Sequence, residues 1–467
     1  MQVPKIFKIF LSFSYGSWVN ALISLISVPI ITSFVSPDEF GKAAMFTLFY
    51  NLSVNISLLG INHSYIRFYS EINPNKRFML FSQCLKLAGA ATTIYFLIVI
   101  LFAKELTLLL FGSHNKELML ILPLSVIIGF LHQFASAHVR MHQNGAFYSF
   151  NQILFALVSF TSSVSYFVLI ERNFTGIIWG FIFGYFTSAI LSIWKYKNDW
   201  IQAIKTIPVQ QNYKALLTYG LPLIPAFLFA WAMEGVDKML LRTFSSLAEL
   251  GIYAVGLKLA LSLNIIKSGF TSFWIPFYYE KYEINPNNKA FYNNIFSALY
   301  LSFFLFINFF ILLKDYIFFL FPQSYQQSSV PFIYLLFIPT FYTLAEIAGV
   351  GISLKKKTYF HMFVFICSLI LNAGLGFILV PKLGSLGAAV STAITFIFFF
   401  LLKSAIANSL YSLKLNWKSF FVCLLLTLVS IIIMQLYDNN TFAVISCILI
   451  IIINWRTLLN LTAKFSA

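Results

Sequence analysis

GVDKMLLRTFSSLAELGIYAVGLKLA, residues 235–260, places Asp237, Lys238, Arg242, Glu249 and Lys258 in a chain that is only 10% charged. The stretch closes one apolar block, passes through a short loop and opens the next. Lys258 lies inside that second block. A charge in hydrocarbon is costly and normally faces a bundle interior or a water-filled path. What these residues mean therefore depends on whether the blocks around them span a membrane.

Composition answers that question. The chain has 467 residues, of which 60% are hydrophobic and 19% aromatic, including 55 Phe. Its mean hydropathy is +0.84. A soluble domain is about 25% charged, and no soluble core of this size needs so much apolar surface. A bilayer does, since each spanning helix takes ~20 apolar residues. The net charge of +16 would suggest nucleic acid in a soluble protein. Here the basic residues sit mostly in short loops between apolar blocks, there is no RNA-binding signature, and the excess reads as membrane orientation. Cys84, Cys367, Cys423 and Cys447 each fall within an apolar block without a CxxC pair. They read as small buried apolar residues, with neither disulfide nor metal. The start, MQVPKIFKIF, lacks a clean cleavage site and reads as a retained first helix.

Fourteen helices are expected, near 12–35, 41–62, 79–102, 119–142, 146–169, 175–195, 215–236, 251–275, 291–313, 329–352, 358–381, 385–406, 417–437 and 440–461. No gap is long enough for a soluble domain. With a cytoplasmic N-terminus, 21 Lys and Arg fall in inside loops or helix ends and 8 outside. That asymmetry predicts both termini inside.

The blocks also repeat. SYGSW (14–18) opens the first helix and TYGLP (218–222) the seventh. PDEFGKAAMF (37–46) leads into the second, LAELGIYAVG (247–256) into the eighth. FYSE (68–71) ends the second, FYYE (277–280) the eighth. EINPN follows each, at 71–75 and 283–287, in what reads as the same cytoplasmic elbow. Six helices separate the copies, so the halves share an orientation, as in a parallel pseudo-twofold repeat. The expected organisation is a six-helix lobe over 1–205, a second over 206–410, and two further helices over 411–467.

Enzyme templates fail: there is no GxSxG, HExxH, P-loop or GxGxxG at a strand–helix junction. The external loops are short for a membrane glycosyltransferase or polymerase. What remains is polarity inside helices. Ser17, Asn20, Ser24 and Ser27 align on the first helix, Asn51, Asn55 and Asn62 on the second, and His132, Ser136, Arg140 and Gln143 on the fourth, at ~100° per residue. Such stripes line a hydrophilic cavity or bond helix to helix. Lys258 is the better cavity cation, while Lys267, nine residues on, points to the opposite face and is placed to snorkel. Arg140 falls near the cytoplasmic end of its helix. Glu234, Asp237 and Glu346 are the intramembrane acids. Pro222 and Pro225 break the start of the seventh helix.

SPDEFGKAAMF (36–46), residues 235–260, FWIPFYYE (273–280) and LGSLGAAVSTAI (383–394) together resemble the Wzx-type polysaccharide flippases of the multidrug/oligosaccharidyl-lipid/polysaccharide exporter superfamily. Asp237 followed by Lys238, then a short loop ending in Gly251-Ile252-Tyr253, is that family's habit. The resemblance implies an all-α membrane fold of two six-helix lobes around a central cavity, with two extra C-terminal helices, in a bacterial inner membrane. It implies movement of undecaprenyl-pyrophosphate-linked oligosaccharide from the cytoplasmic to the periplasmic leaflet, for O-antigen or capsule. Cavity cations attract the anionic substrate, a role carried here to Lys258, then Arg140 and Lys267, with His132, Asn51, Asn55 and Asn20 as polar lining. Glu234, Asp237 and Glu346 become candidates for proton or sodium coupling. No cofactor is implied, and glycosyltransferases and a glycan polymerase are the implied partners. A multidrug antiporter would show anionic cavity residues and twelve helices. A peptidoglycan-precursor flippase shares the fourteen and is poorly separated.

Overall fold

The computed structural model describes residues 3–206, 213–263, 274, 278–279, 282–285, 289–437, 439–455, 457 and 459. Every regular element among them is helical. Two compact units divide the chain, Met1–Lys238 and Met239–Ala467.

The first unit contains α1 (Val3–Thr32), α2 (Pro37–Ser57), α3 (Ile61–Tyr69), α4 (Arg77–Leu101), α5 (Ala103–Phe111), α6 (Lys116–Met141), α7 (Gly145–Leu169), α8 (Phe174–Lys195), α9 (Lys197–Lys205) and α10 (Tyr213–Gly220). It also holds most of α11 (Leu223–Phe244), within which the division falls. The second contains α12 (Leu247–Ser262), α13 (Lys289–Phe319), α14 (Ser329–Leu335), α15 (Phe337–Ala348), α16 (Val350–Leu354), α17 (Tyr359–Leu410), α18 (Trp417–Tyr437) and α19 (Thr441–Ile453).

Among the described residues ten helices are long and apolar enough to cross a membrane, or eleven if the bent pair α2–α3 counts as one. The expected fourteen are not reached. The shortfall lies in three places. α12 is described for only 16 residues and α19 has 13. α17 runs for 52 residues, about 78 Å at 1.5 Å each and more than twice a hydrocarbon core. It is broken at Gly384, whose φ of 56° leaves the helical region. Side chains such as Leu101, Leu169 and Phe319 are at least 75% exposed. In water this would be an adhesive surface; against lipid tails it is matched.

Lipid removes the hydrophobic drive between helices, so packing must come from close approach. Gly176, Gly180 and Gly184 recur every fourth residue on one face of α8. A Cβ at Gly180 would fall 2.5 Å from Ser159 O, and one at Gly184 2.9 Å from Phe155 O, so α7 and α8 lie backbone to backbone. In the second unit the contact is aromatic. Phe400 meets Phe420 at 5.1 Å and Phe341 at 5.7 Å between ring centroids, each pair adding ~0.5–1.5 kcal/mol beyond area burial.

The same joint occurs once in each unit. Ser36 caps α2, accepting from Glu39 N at 3.4 Å; Ser246 caps α12, accepting from Glu249 N at 3.1 Å. Glu39 Oε2 then accepts from Phe174 N at 2.7 Å, at the start of α8. Glu249 Oε2 accepts from Ser385 N, also at 2.7 Å, just past the break in α17. Each carboxylate thus satisfies an orphan amide and the positive end of a helix dipole.

The proline break falls where the sequence put it: α10 ends at Gly220 and α11 starts at Leu223, beyond Pro222. A second break lies at Leu58–Gly60, where α2 and α3 bend by 57°. Gly60 has φ 69°, and a Cβ there would overlap Gly220 O, so this glycine permits both the bend and the contact with α10. The bend corrects one expectation. Asn62 does not continue the Asn51–Asn55 stripe, because it belongs to a helix of different direction. The first EINPN forms a turn in which Asn73 Oδ1 accepts from Asn75 N at 3.1 Å; the end of the second lies outside the described residues.

Candidate functional site

The second unit holds a cavity of about 280 Å³ lined by Tyr278, Tyr342, Glu346, Ser353, His361 and Lys403, among others. Lys403 Nζ donates to Glu346 Oε1 at 2.9 Å. Their side chains are 6% and 19% exposed, so the pair is largely shielded from solvent. Gly349 makes room for it, since a Cβ there would fall 2.5 Å from Lys403 Cε. Trp274 Nε1 fixes the turn that carries the acid, donating to Glu346 O at 3.2 Å. A desolvated charge on its own costs several kcal/mol, and pairing offsets much of that. Such a pair can open towards a competing anion or when the acid takes up a proton. The sequence singles out Glu346 but treats Lys403 as one more basic residue at a helix end. Nothing local reveals their pairing across 57 residues.

The first unit is built differently. His132 and Arg140 lie two turns apart on nearly one face of α6. His132 packs on Tyr185 of α8 at 4.4 Å, and Tyr185 stacks on Tyr50 of α2 at 5.2 Å. Arg140 is close enough to His132 and to His63 of α3 for its charge to act on both rings. Around these rings three described polar atoms are buried without a hydrogen-bond partner: Tyr50 Oη, His132 Nδ1 and Arg140 Nε. No carboxylate among the described residues pairs with Arg140. Each orphaned group costs ~1–3 kcal/mol, more for a charged one. A polar or anionic group that reached this face of α6 would find donors there.

These two constellations stand on a scaffold that other chains share. The family described as polysaccharide biosynthesis protein matches residues 7–281. The chain belongs to that family. No curated protein matches it by sequence. Among solved structures, the lipid II flippase MurJ in an inward closed conformation matches with a TM-score of 0.68 at 16% identity, covering 97% of this chain and 98% of that one. An inward-facing multidrug resistance transporter of the MOP superfamily matches at 0.57 and 11%, covering 85% and 95%. A MOP superfamily transporter from Pyrococcus furiosus, whose description notes a binding pocket of reversed polarity, matches at 0.50 and 13%, covering 86% and 96%. At these identities the likeness is one of fold: a multi-pass helical membrane architecture.

In this member of the polysaccharide biosynthesis protein family the remaining candidates are spread out. Asn51 and Asn55 are half-buried on α2, and Asn55 Nδ2 donates to Asn51 O at 2.9 Å, back onto its own helix. Asn20 is half-buried on α1, and neighbouring Ser17 donates to Gln152 Oε1 at 2.8 Å, joining α1 to α7. That bond follows the helix-to-helix reading of the first stripe. Lys258 is exposed on α12; Glu234 is exposed and Asp237 buried on α11. Lys267 lies outside the described residues. The four cysteines are free, with Cys84 and Cys423 buried.

Proposed function

We propose that this protein is a flippase that carries undecaprenyl-pyrophosphate-linked oligosaccharide from the cytoplasmic to the periplasmic leaflet by alternating access through a cationic cavity. The observation that carries the reading is Arg140. It is a cation with a buried, unpartnered nitrogen on a membrane-length helix, with unsatisfied His132 and Tyr50 atoms on the same wall. A pyrophosphate cannot cross hydrocarbon unaided, and a guanidinium is suited to bind it bidentately. Family membership supports a glycan-linked cargo. The antiporter reading asks instead for anionic groups at this place.

In this reading the lobes over 1–205 and 206–410 alternate, and the helices over 411–467 are additional. Lys258 and Lys267 add positive charge along the path; Asn20, Asn51 and Asn55 offer amides to the glycan. Glu346, released from Lys403, is the best-placed coupling acid, followed by Asp237 and Glu234, with a proton or sodium gradient as the driving force. The protein lies in a bacterial inner membrane with both termini cytoplasmic, beside glycosyltransferases and a polymerase of an O-antigen or capsule pathway. The test is complementation of a flippase-null strain. Arg140→Ala and Lys258→Ala are expected to abolish surface polysaccharide at unchanged expression. Normal surface polysaccharide with both substitutions would sink the proposal.

A further inference from the structure

At the end of α6 opposite to Lys116, three ligand atoms from two separate elements converge. His138 Nε2 lies 3.0 Å from Asp199 Oδ2, His142 Nε2 lies 3.1 Å from the same oxygen, and the two nitrogens are 3.2 Å apart. His138 and His142 stand one turn apart on α6; Asp199 comes from the first turn of α9. Hydrogen bonds cannot account for this triangle. If both nitrogens carry protons, each donates to the carboxylate, and two N–H groups then oppose each other with no acceptor between them. If one carries a lone pair, it accepts from the other and loses its bond to Asp199. In every protonation state at most two of the three contacts are hydrogen bonds.

A metal ion satisfies all three. Zinc binds imidazole nitrogen at ~2.0–2.1 Å and carboxylate oxygen at ~2.0–2.2 Å, so neighbouring ligands of a tetrahedral ion are about 3.3 Å apart. The observed edges of 3.0, 3.1 and 3.2 Å are close to that. The ion would sit about 1 Å out of the plane of the three atoms. The surroundings match as well. His138 Nδ1 is 2.9 Å from Tyr65 Oη, and by donating to it would present the Nε2 lone pair to the metal. Phe81 stacks on the His138 ring at 4.2 Å and Tyr196 on the His142 ring at 4.4 Å, fixing both orientations. His138 is 4% exposed, whereas the side chains of His142 and Asp199 are 34% and 39% exposed. That leaves an accessible fourth position for water.

We infer that His138, His142 and Asp199 form a binding site for a zinc-class divalent ion that ties α9 to the end of α6. It is independent of the proposed cargo and of the Arg140 face. The test uses full-length protein in detergent, purified on a tag without histidine and stripped by chelator. Titration with Co²⁺ is expected to give tetrahedral d–d absorption saturating at one equivalent, displaced by Zn²⁺. Asp199→Asn and His142→Ala should each weaken binding by at least tenfold, and Tyr65→Phe by 10–100-fold through the lost outer bond. His114→Gln should leave it unchanged. Each variant is checked for the wild-type elution profile. Absence of a stoichiometric spectrum from wild-type protein overturns the inference. So does wild-type affinity in a well-folded Asp199→Asn, His142→Ala double variant.

Discussion

The two units share a joint and differ in charge chemistry. In each, a serine caps the second helix of the half, and a glutamate three residues later reaches across to an amide that starts a later helix. Yet the first unit leaves Arg140 without a described carboxylate, while the second neutralises Lys403 with Glu346. Two units can therefore share a joint while their polar interiors differ. The joint is backbone recognition, which tolerates change around it. The interior is side-chain chemistry, where one substitution changes what can bind.

The comparison breaks most readily at the buried pair. Lys403→Met should destabilise the detergent-solubilised protein by about 3–5 kcal/mol, because Glu346 is left charged and alone. Adding Glu346→Gln should restore much of that loss. Arg140→Met should not destabilise in the same way, since no described partner is stranded. Unfolding followed by loss of the monodisperse peak reads all three. Equal losses at Arg140 and Lys403 would erase the distinction between the units.

The joint itself comes next. Glu39→Gln and Glu249→Gln should each cost about 1.5–3 kcal/mol, the value of a hydrogen bond to a charged group. The first should exceed the second by up to ~1 kcal/mol, because Glu39 also pairs with Lys42 at 2.6 Å. The double variant should be additive within about 0.5 kcal/mol if the joints are independent. Gly384→Ala sharpens the same point. Its φ of 56° is strained for alanine, and the new Cβ would fall 2.6 Å from Glu249 Oε2. A loss of about 1–3 kcal/mol is expected. Smallest are the caps, Ser36→Ala and Ser246→Ala, at about 1 kcal/mol each. A loss at only one would show that the two halves do not use the joint alike.

The fold was legible in the sequence because its signals are local. Apolar length marks the helices, Pro222 marks the break before α11, and the landmarks PDEFGKAAMF and LAELGIYAVG hold the glutamates of the two matching joints. The candidate sites were only half legible, because their partners meet through space. Glu346 stood out as an acid in an apolar block, but Lys403 lies 57 residues away. His138 and His142 stand four residues apart in HVRMH but were not singled out, because Asp199, 57 and 61 residues on in α9, meets them only through space. The asparagine stripe failed at Asn62 because a helical wheel assumes a straight helix, and Gly60 bends this one.

The role proposed for Arg140, an uncompensated cation in the first unit, is to bind an anionic lipid-linked cargo. It is tested most directly in proteoliposomes holding wild-type protein or Arg140→Gln, each loaded with fluorescent undecaprenyl-pyrophosphate-linked oligosaccharide or with lipid II. Leaflet exchange is read by quencher accessibility. Wild-type protein is expected to exchange the oligosaccharide lipid and Arg140→Gln to lose that exchange, with lipid II left in place. Exchange of lipid II alone, or undiminished exchange by Arg140→Gln, would contradict it.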